Sequence, residues 1–281
     1  MKALLESGFE VTAVTRESSA ATFPDGVEVR RADLSSIESL TEAFNGQDAV
    51  VVTIATSEVD KQNTLIDAAV AAGVKRFIPS EFGHNSKKLS GGLATILSLK
   101  AQTAKYLDET AKANPEFTWT GIATSPFFDW GLDNGLWGIN LKDKTANIID
   151  SGNELVSTST LAFVAKSIVA VLQNEADTAN QLIDVVEFNV SQNEVLHIIE
   201  EETGAKFKLS HANGSLLGLT GEDKLTKGDV WGAFIPLLLA WNFSDGGNHA
   251  LKREELANER LGLKGVDVRE AVQEYIKVRS L

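Results

Sequence analysis

The chain has 281 residues and a formal net charge of −13. It therefore has no general positive field to draw nucleic acid or an anionic membrane to its surface, although a local basic pocket is still allowed. Cysteine is absent, which excludes disulfides, thiolate catalysis and Cys-based zinc sites together, and the four histidines (His84, His197, His211, His249) form no HExxH-type pair, so no metal site is expected.

Apolar residues make up 43% of the chain, enough for one large domain or two unequal lobes. The N-terminus carries no charged-then-apolar signal segment, so a cytoplasmic location is expected. "ALLESGFEVTAVTRESS" (3–19) reads as the end of a helix, a stop at Gly8, a strand over 9–16 and Arg16 at the strand's tip. That is the second half of a βαβ unit. A second strand is predicted over 27–34, after the turn Phe23-Pro24-Asp25-Gly26. In "SSIESLTEAFNG" (35–46) the apolar residues at 37, 40, 43 and 44 have helical spacing. Ser35 or Ser36 can cap this helix, with Glu38 in support, and Gly46 stops it.

"DAVVVTIA" (48–55) is nearly all apolar, as a strand covered on both faces of a parallel sheet should be. A helix over 60–73 leads to a strand over 74–80. One long helix is predicted from about 93 to 114, followed by a strand over 117–125. Strands separated by helices of this length imply an α/β fold with a parallel sheet and right-handed crossovers. The second half is less regular: a helix over 160–173, a strand over 182–188, a capped helix over 191–204, a strand over 206–210 and a helical tail including 267–279. "WGAFIPLLLAW" (231–241) is about half the length of a bilayer span and contains Pro236; it reads as a core or pocket-lining helix. A division into a lobe over 1–127, sharing elements from 155–190, and a smaller α+β lobe over 128–281 follows.

Ligands of open α/β sheets sit beyond the carboxyl ends of the strands, which directs attention to those ends. Arg16 can pair two oxygens of a 2′-phosphate and so favour NADP, or it is simply a solvated strand end. Asp33-Leu34 follows the next strand; the carboxylate either meets an adenine edge or caps the helix after it. The backbone of Thr53, Ile54 and Ala55 is a candidate for the nicotinamide ribose and pyrophosphate. "RFIPSEFG" (76–83) is more distinctive, because Pro79 ends ladder pairing, Gly83 allows a tight bend, and Phe82 just past the strand can stack over a nicotinamide. Downstream, Lys100 shares a helix face with Thr103, Ala104 and Leu107. Dehydration there would lower its pKa toward working pH and let it exchange a proton or orient a ribose; otherwise the side chain snorkels to solvent. No Tyr-x-x-x-Lys pair occurs, since Tyr106 lies on another face.

"SGFEVTAVTRESS", "VKRFIPSEFG", the Lys100 helix and "GIATSPFFDWGL" (121–132), in this order and spacing, resemble the NmrA-like / isoflavone reductase-like family of atypical short-chain dehydrogenases, fungal members in particular. "QLIDVVEFNVSQNEVLHIIEEETGAKF" (181–207) extends the resemblance into the second half. The resemblance implies a Rossmann-like NADP(H)-binding lobe and a smaller substrate lobe. It implies reduction of a small, phenylpropanoid-like aromatic substrate or, in other members, dinucleotide sensing with a protein partner and no turnover. By it, Arg16 would hold the 2′-phosphate. Thr53 to Ala55, Pro79, Ser80, Glu81, Phe82, Pro126 and Phe127 would line the cofactor, with Gln62 near the ribose or phosphates. Lys100 would be the general acid/base, and Trp130, Leu136 and Trp137 would line the substrate cleft or else form core between the lobes.

The family opens with a strand and a Gly-x-x-Gly-x-x-Gly loop that holds the pyrophosphate, and neither is in this sequence. Strand 1 lies between strands 2 and 4 in the common order. The expectation is therefore that 9–16 and 48–55 each lack a neighbour, that the short N-terminal helix must dock to persist, and that the chain as given binds NADP poorly.

Overall fold

The computed structural model describes residues 1–279. It opens with α1 (Lys2–Glu6), β1 (Val11–Thr15), β2 (Val27–Arg31), α2 (Ile37–Phe44), β3 (Ala49–Val51), α3 (Gln62–Ala71) and β4 (Arg76–Ile78). α4 (Gly91–Ile96), α5 (Ser98–Ala113), β5 (Thr118–Ala123), α6 (Phe128–Asp133), β6 (Ile139–Asn140), β7 (Thr145–Ile149), β8 (Val156–Thr158), α7 (Leu161–Gln173), α8 (Glu175–Thr178) and β9 (Gln181–Asp184) follow. The chain closes with β10 (Phe188–Val190), α9 (Gln192–Thr203), β11 (Lys208–Ala212), α10 (Gly214–Thr226), α11 (Val230–Phe243) and α12 (Val268–Arg279).

The central sheet is parallel, in the order β3-β4-β5-β9. Apolar runs on these strands are covered on both faces. On one face, Leu65, Ile66 and Ala69 of α3 and Ala104 and Leu107 of α5 pack on Phe77 and Trp119. On the other, Phe163 and Val171 of α7 pack on Ile78 and Ile122. β9 comes from the second half of the chain, so a cut at residue 127 divides one sheet. β1 and β2 form a separate parallel pair; among the described residues β1 joins only β2, and β3 joins only β4. The short α1 docks against α7, which supplies the packing that under two turns of helix needs to persist. Ser36 rather than Ser35 caps α2, its hydroxyl accepting from the Ser39 amide at 3.2 Å.

The second lobe is built on the sheet β11-β7-β6 and the antiparallel pair β8-β10. Its core joins α6, α9, α11 and α12 through Phe128, Trp137, Val195, Ile199, Phe243 and Val272. Two expected elements divide. The long helix over 93–114 breaks at Leu97, whose φ of −94° and ψ of 10° leave the helical region. The break lets Leu93 and Leu97 of the first piece face Leu237 and Leu238 of α11, while Lys100 and Leu107 of the second face the central sheet. The strand over 182–188 divides where the chain changes sheets: Val185 still bonds to Ala123 of the central sheet, but Glu187 bonds to Thr158 of the other lobe. Among the described residues no helix is long and apolar enough to cross a membrane.

Candidate active site

The carboxyl ends of β3, β4 and β5 meet at the segment Pro79–Gly83, and hydrogen bonds hold that segment from three sides. The Ser80 hydroxyl donates to the Ile54 carbonyl at 2.9 Å, and the Ser80 amide donates to Gln62 Oε1 at 2.7 Å. Gly83, at φ 125°, accepts from the amides of Thr124 and Ser125 at 2.9 Å each, and its own amide donates to Thr124 Oγ1 at 3.1 Å. Ser125 takes a positive φ of 56°, uncommon without glycine. Gln62 is buried and its Oε1 is committed to the Ser80 amide. It therefore braces the turn instead of offering that oxygen to a ligand.

Lys100 reaches this turn from α5. Its Nζ donates to the Glu81 carbonyl at 2.8 Å and to the Phe82 carbonyl at 3.2 Å. At 7% exposure it does not snorkel to solvent. Burial pulls the amine's pKa below the ordinary lysine value, and the Glu81 carboxylate partly restores it. Glu81 is buried too; burial pushes its carboxyl up, against the pull of Lys100 and of the Ser86 amide, which donates to Oε1 at 3.0 Å. An ammonium has three N–H donors, and these two carbonyls use two of them.

Beyond the turn lies an open cavity of about 200 Å³ at the join between the lobes. His84, Asn85 and Lys88 line it from the segment after β4, Asp184 from the tip of β9, and Trp241, His249 and Glu255 from α11 and the segment that follows. Lys88 Nζ lies 3.2 Å from both the Asp184 and the Glu255 carboxylates, and Asn85 Nδ2 donates to Asp184 at 2.9 Å. His84 is half-buried at the cavity wall; burial depresses its pKa to about 4 despite Asn242, so it is neutral near pH 7. Its Nε2 has no partner among the described residues. The His249 and Trp241 rings stack at 3.6 Å, 5° from parallel, and His84 meets Trp241 edge-on.

None of these lining residues is among those singled out from the sequence. For His84 and Asn85 a signal existed, because they directly follow "PSEFG". For Asp184 it was an acid at the end of a parallel strand. Trp241 and His249 come together only through the tertiary fold, although the helix carrying Trp241 was read as core or pocket-lining.

The other predicted residues divide between strand tips and core. Arg16 is exposed at the end of β1, and its guanidinium makes no hydrogen bond or ion pair among the described residues. Thr53 and Ala55 are exposed beyond β3, while Ile54 is half-buried against the core. Asp33 caps no helix, since Ser36 holds that place: its Oδ1 accepts from the Ser35 amide at 2.9 Å and from its hydroxyl at 2.6 Å in the turn before the helix, and these bonds lower its pKa. Leu34 packs into the core beneath it. Phe82 packs against Ile78 and Ile122. Pro126 and Phe127 run past β5 and couple to the second lobe, Thr158 donating to the Pro126 carbonyl at 2.7 Å. Trp130 is 47% exposed and Leu136 packs beside the α4–α11 contact. Trp137 takes the core side of its two readings. It is 2% exposed, edge-on to Phe128 and Phe243 at 5.4 Å, because the second lobe requires a large apolar side chain at its centre. It offers no face to a ligand. Among the described residues no cluster of acidic or histidine side chains could hold a metal.

Comparison with known proteins bears on this arrangement. The profile of the NmrA-like family matches residues 1–218. The oxidoreductase aprR of Aspergillus flavus is 34% identical over 275 residues, covering 96% of this chain and 91% of that protein. The oxidoreductase poxI of Penicillium oxalicum is 33% identical over 251 residues, covering 87% and 78%. Among solved structures, AtPrR2 with NADP+ and (+)pinoresinol superposes with a TM-score of 0.76 at 20% identity, covering 98% of this chain and 93% of that one, a likeness that establishes the Rossmann-like fold.

Proposed function

The chain belongs to the NmrA-like family, and on that premise we propose that it is an NADP(H)-dependent oxidoreductase that reduces a small organic substrate with Lys100 as proton donor. The names of its fungal relatives and the NADP+ in a structural neighbour support the reading. So do this chain's own residues at the two ends of the dinucleotide, although the glycine loop that would hold the pyrophosphate is not among them. Arg16 holds an unpaired guanidinium where a 2′-phosphate would lie, and it can engage two phosphate oxygens at once. The exposed Thr53 and Ala55 backbone and the Pro79–Phe82 turn supply polar atoms at the tips of adjacent strands, where a ribose and nicotinamide would rest. NADPH, when bound, supplies the hydride.

The remaining chemistry is the protein's. A substrate that accepts hydride develops negative charge on a neighbouring atom, and a proton delivered there completes the reduction. Lys100 is suited to deliver it. The buried amine is anchored by the carbonyls of Glu81 and Phe82, so it is held in place without being neutralised by a salt bridge. Its lowered pKa makes it a better acid than a solvated lysine. Glu81 keeps the proton on the amine until substrate is present. His84 lines the adjoining cavity as a neutral ring, so it adds no positive charge to compete with Lys100 for a developing anion.

The buried amine at the tip of β4 carries this reading. Its test is NADPH consumption over a panel of small aromatic enones, ketones and ethers, comparing the wild type with Lys100→Ala. Equal rates would remove Lys100 from the chemistry. Consumption in the wild type that is lost in the variant is the expected result.

A further inference from the structure

We infer that Ser125, at the carboxyl end of β5, is a substrate-binding residue whose hydroxyl donates a hydrogen bond to an uncharged oxygen of the substrate beside Lys100. This rests on the reductase reading and adds to it a residue with a separate task.

The backbone is the first observation. Ser125 has a φ of 56°, a region where residues other than glycine, asparagine and aspartate are uncommon. It also precedes Pro126, and the residue before a proline is driven toward extended conformations. Five non-glycine residues among those described have a positive φ. Three are asparagine or aspartate, and Lys144 lies in the exposed turn between β6 and β7. Ser125 alone of the five is buried, at 5% exposure. Its conformation lets the amides of Thr124 and Ser125 both reach the Gly83 carbonyl, at 2.9 Å each. Glycine would make the same backbone bonds with less strain. What serine adds is a hydroxyl.

The hydroxyl is the second observation. Among the described residues nothing hydrogen-bonds to Ser125 Oγ. Its neighbour differs: Thr124 Oγ1 accepts from the Gly83 amide and donates to the Ser125 carbonyl, both at 3.1 Å. A buried hydroxyl without a partner is unfavourable. This one belongs to a residue that lines the cleft between the lobes. The fold therefore tolerates strain to keep beside the cleft a hydroxyl that the protein itself does not use, as strained residues at binding sites do.

The third observation is position. Gly83 stands between Ser125 and Lys100: its carbonyl takes the Ser125 amide, and a side chain in place of its hydrogen would begin 4.0 Å from Lys100 Nζ. Lys100 has one N–H left after its bonds to the Glu81 and Phe82 carbonyls. An unused O–H and an unused N–H thus flank one glycine, and both call for an acceptor. A carbonyl or ether oxygen has lone pairs for the two together. In this arrangement Ser125 holds the oxygen and keeps its own proton, while the transferable proton is on Lys100.

Ser125→Gly and Ser125→Ala provide the test. Both delete the hydroxyl, and only glycine also relieves the backbone. Cyclohexanone and methylenecyclohexane, which match in shape and differ in the oxygen, are titrated into each protein by ligand-observed NMR in the presence of NADP+. In both variants the ratio of the two dissociation constants should move against the ketone by about three- to tenfold relative to wild type, the scale of one uncharged hydrogen bond, with the alkene changed less than about twofold. The urea midpoint of Ser125→Gly should exceed that of Ser125→Ala. In turnover of a panel ketone, Ser125→Gly should raise KM and leave the alkaline limb of the rate profile in place, because the hydroxyl does not titrate. The inference is overturned if the ratio is the same in wild type and variants, if cyclohexanone does not bind the wild type, or if the limb moves, since the serine would then act through the Lys100 turn. Failure of the reductase reading looks different: the ratio moves as predicted, but no member of the panel consumes NADPH. Lys100-dependent turnover with an unmoved ratio would leave the reductase standing and remove Ser125 alone from the site.

Discussion

Replacing Lys100 with methionine removes the amine and keeps most of the side-chain volume. Two consequences follow from the site, and they have separate sizes. The Glu81 and Phe82 carbonyls lose their donor. Each unsatisfied buried acceptor costs about 1–3 kcal/mol, but the penalty of burying an ammonium vanishes at the same time. The net destabilisation expected from urea unfolding is therefore no more than about 2 kcal/mol. The loss of a positioned proton donor should slow turnover on the order of 10²- to 10⁴-fold, which is about 3–5 kcal/mol in the barrier. Measuring NADPH oxidation and urea midpoints on one preparation separates the two. Lys100→Arg sharpens the comparison, because arginine keeps the charge and can bond the carbonyls but does not release its proton. It should recover stability and leave the rate at least about tenfold down. Full activity in Lys100→Arg would show that charge alone suffices, and a Lys100→Met rate within about threefold of wild type would refute proton delivery by this residue.

The remaining predictions concern neighbouring groups. Glu81→Gln removes the carboxylate that raises the Lys100 pKa. A general acid works in its protonated form, so the rate falls as pH climbs through that pKa, and the alkaline limb of the kcat profile should move to lower pH in the variant; movement the other way contradicts the assigned coupling. Arg16→Ala should reduce the preference for NADPH over NADH on the order of tenfold to a hundredfold in paired titrations, the scale of charge-assisted bonds to a phosphate. An unchanged preference would place the 2′-phosphate elsewhere. Trp137→Ala should cost about 3–5 kcal/mol of stability as a core truncation, with the ranking of substrates unaltered in the folded protein. A changed ranking at unchanged stability would return Trp137 to the cleft.

The parallel architecture was legible because doubly covered strands announce themselves: "DAVVVTIA" is nearly all apolar, and a strand with one wet face would alternate. Caps were legible to within a residue, as Ser36 shows. Interruptions imposed by tertiary contacts were not. Leu97 is an ordinary helix former, and the helix breaks there only because Leu93 and Leu97 must face α11 while Lys100 faces the sheet. The 182–188 segment looks like one strand because nothing in its side chains marks the point where its hydrogen bonds pass from Ala123 to Thr158. The same limit applied to the site. Lys100, Arg16 and the Pro79–Phe82 turn follow from strand ends and helix faces, which are local. The cavity walls draw on Asp184, Trp241, His249 and Glu255, residues distant in sequence that only the finished fold assembles. Aromatic residues were ambiguous for a related reason: Trp130 and Trp137 are seven positions apart, yet one is exposed and the other central to the second lobe.

The most direct test of the central claim follows the label. Nicotinamide-deuterated NADPH is incubated with the protein and each member of the substrate panel, and products are read by mass spectrometry. Transfer of one deuterium to a product by the wild type, abolished or strongly reduced in Lys100→Met, is the predicted result. NADPH that binds saturably and yields no deuterated product from any substrate would contradict it.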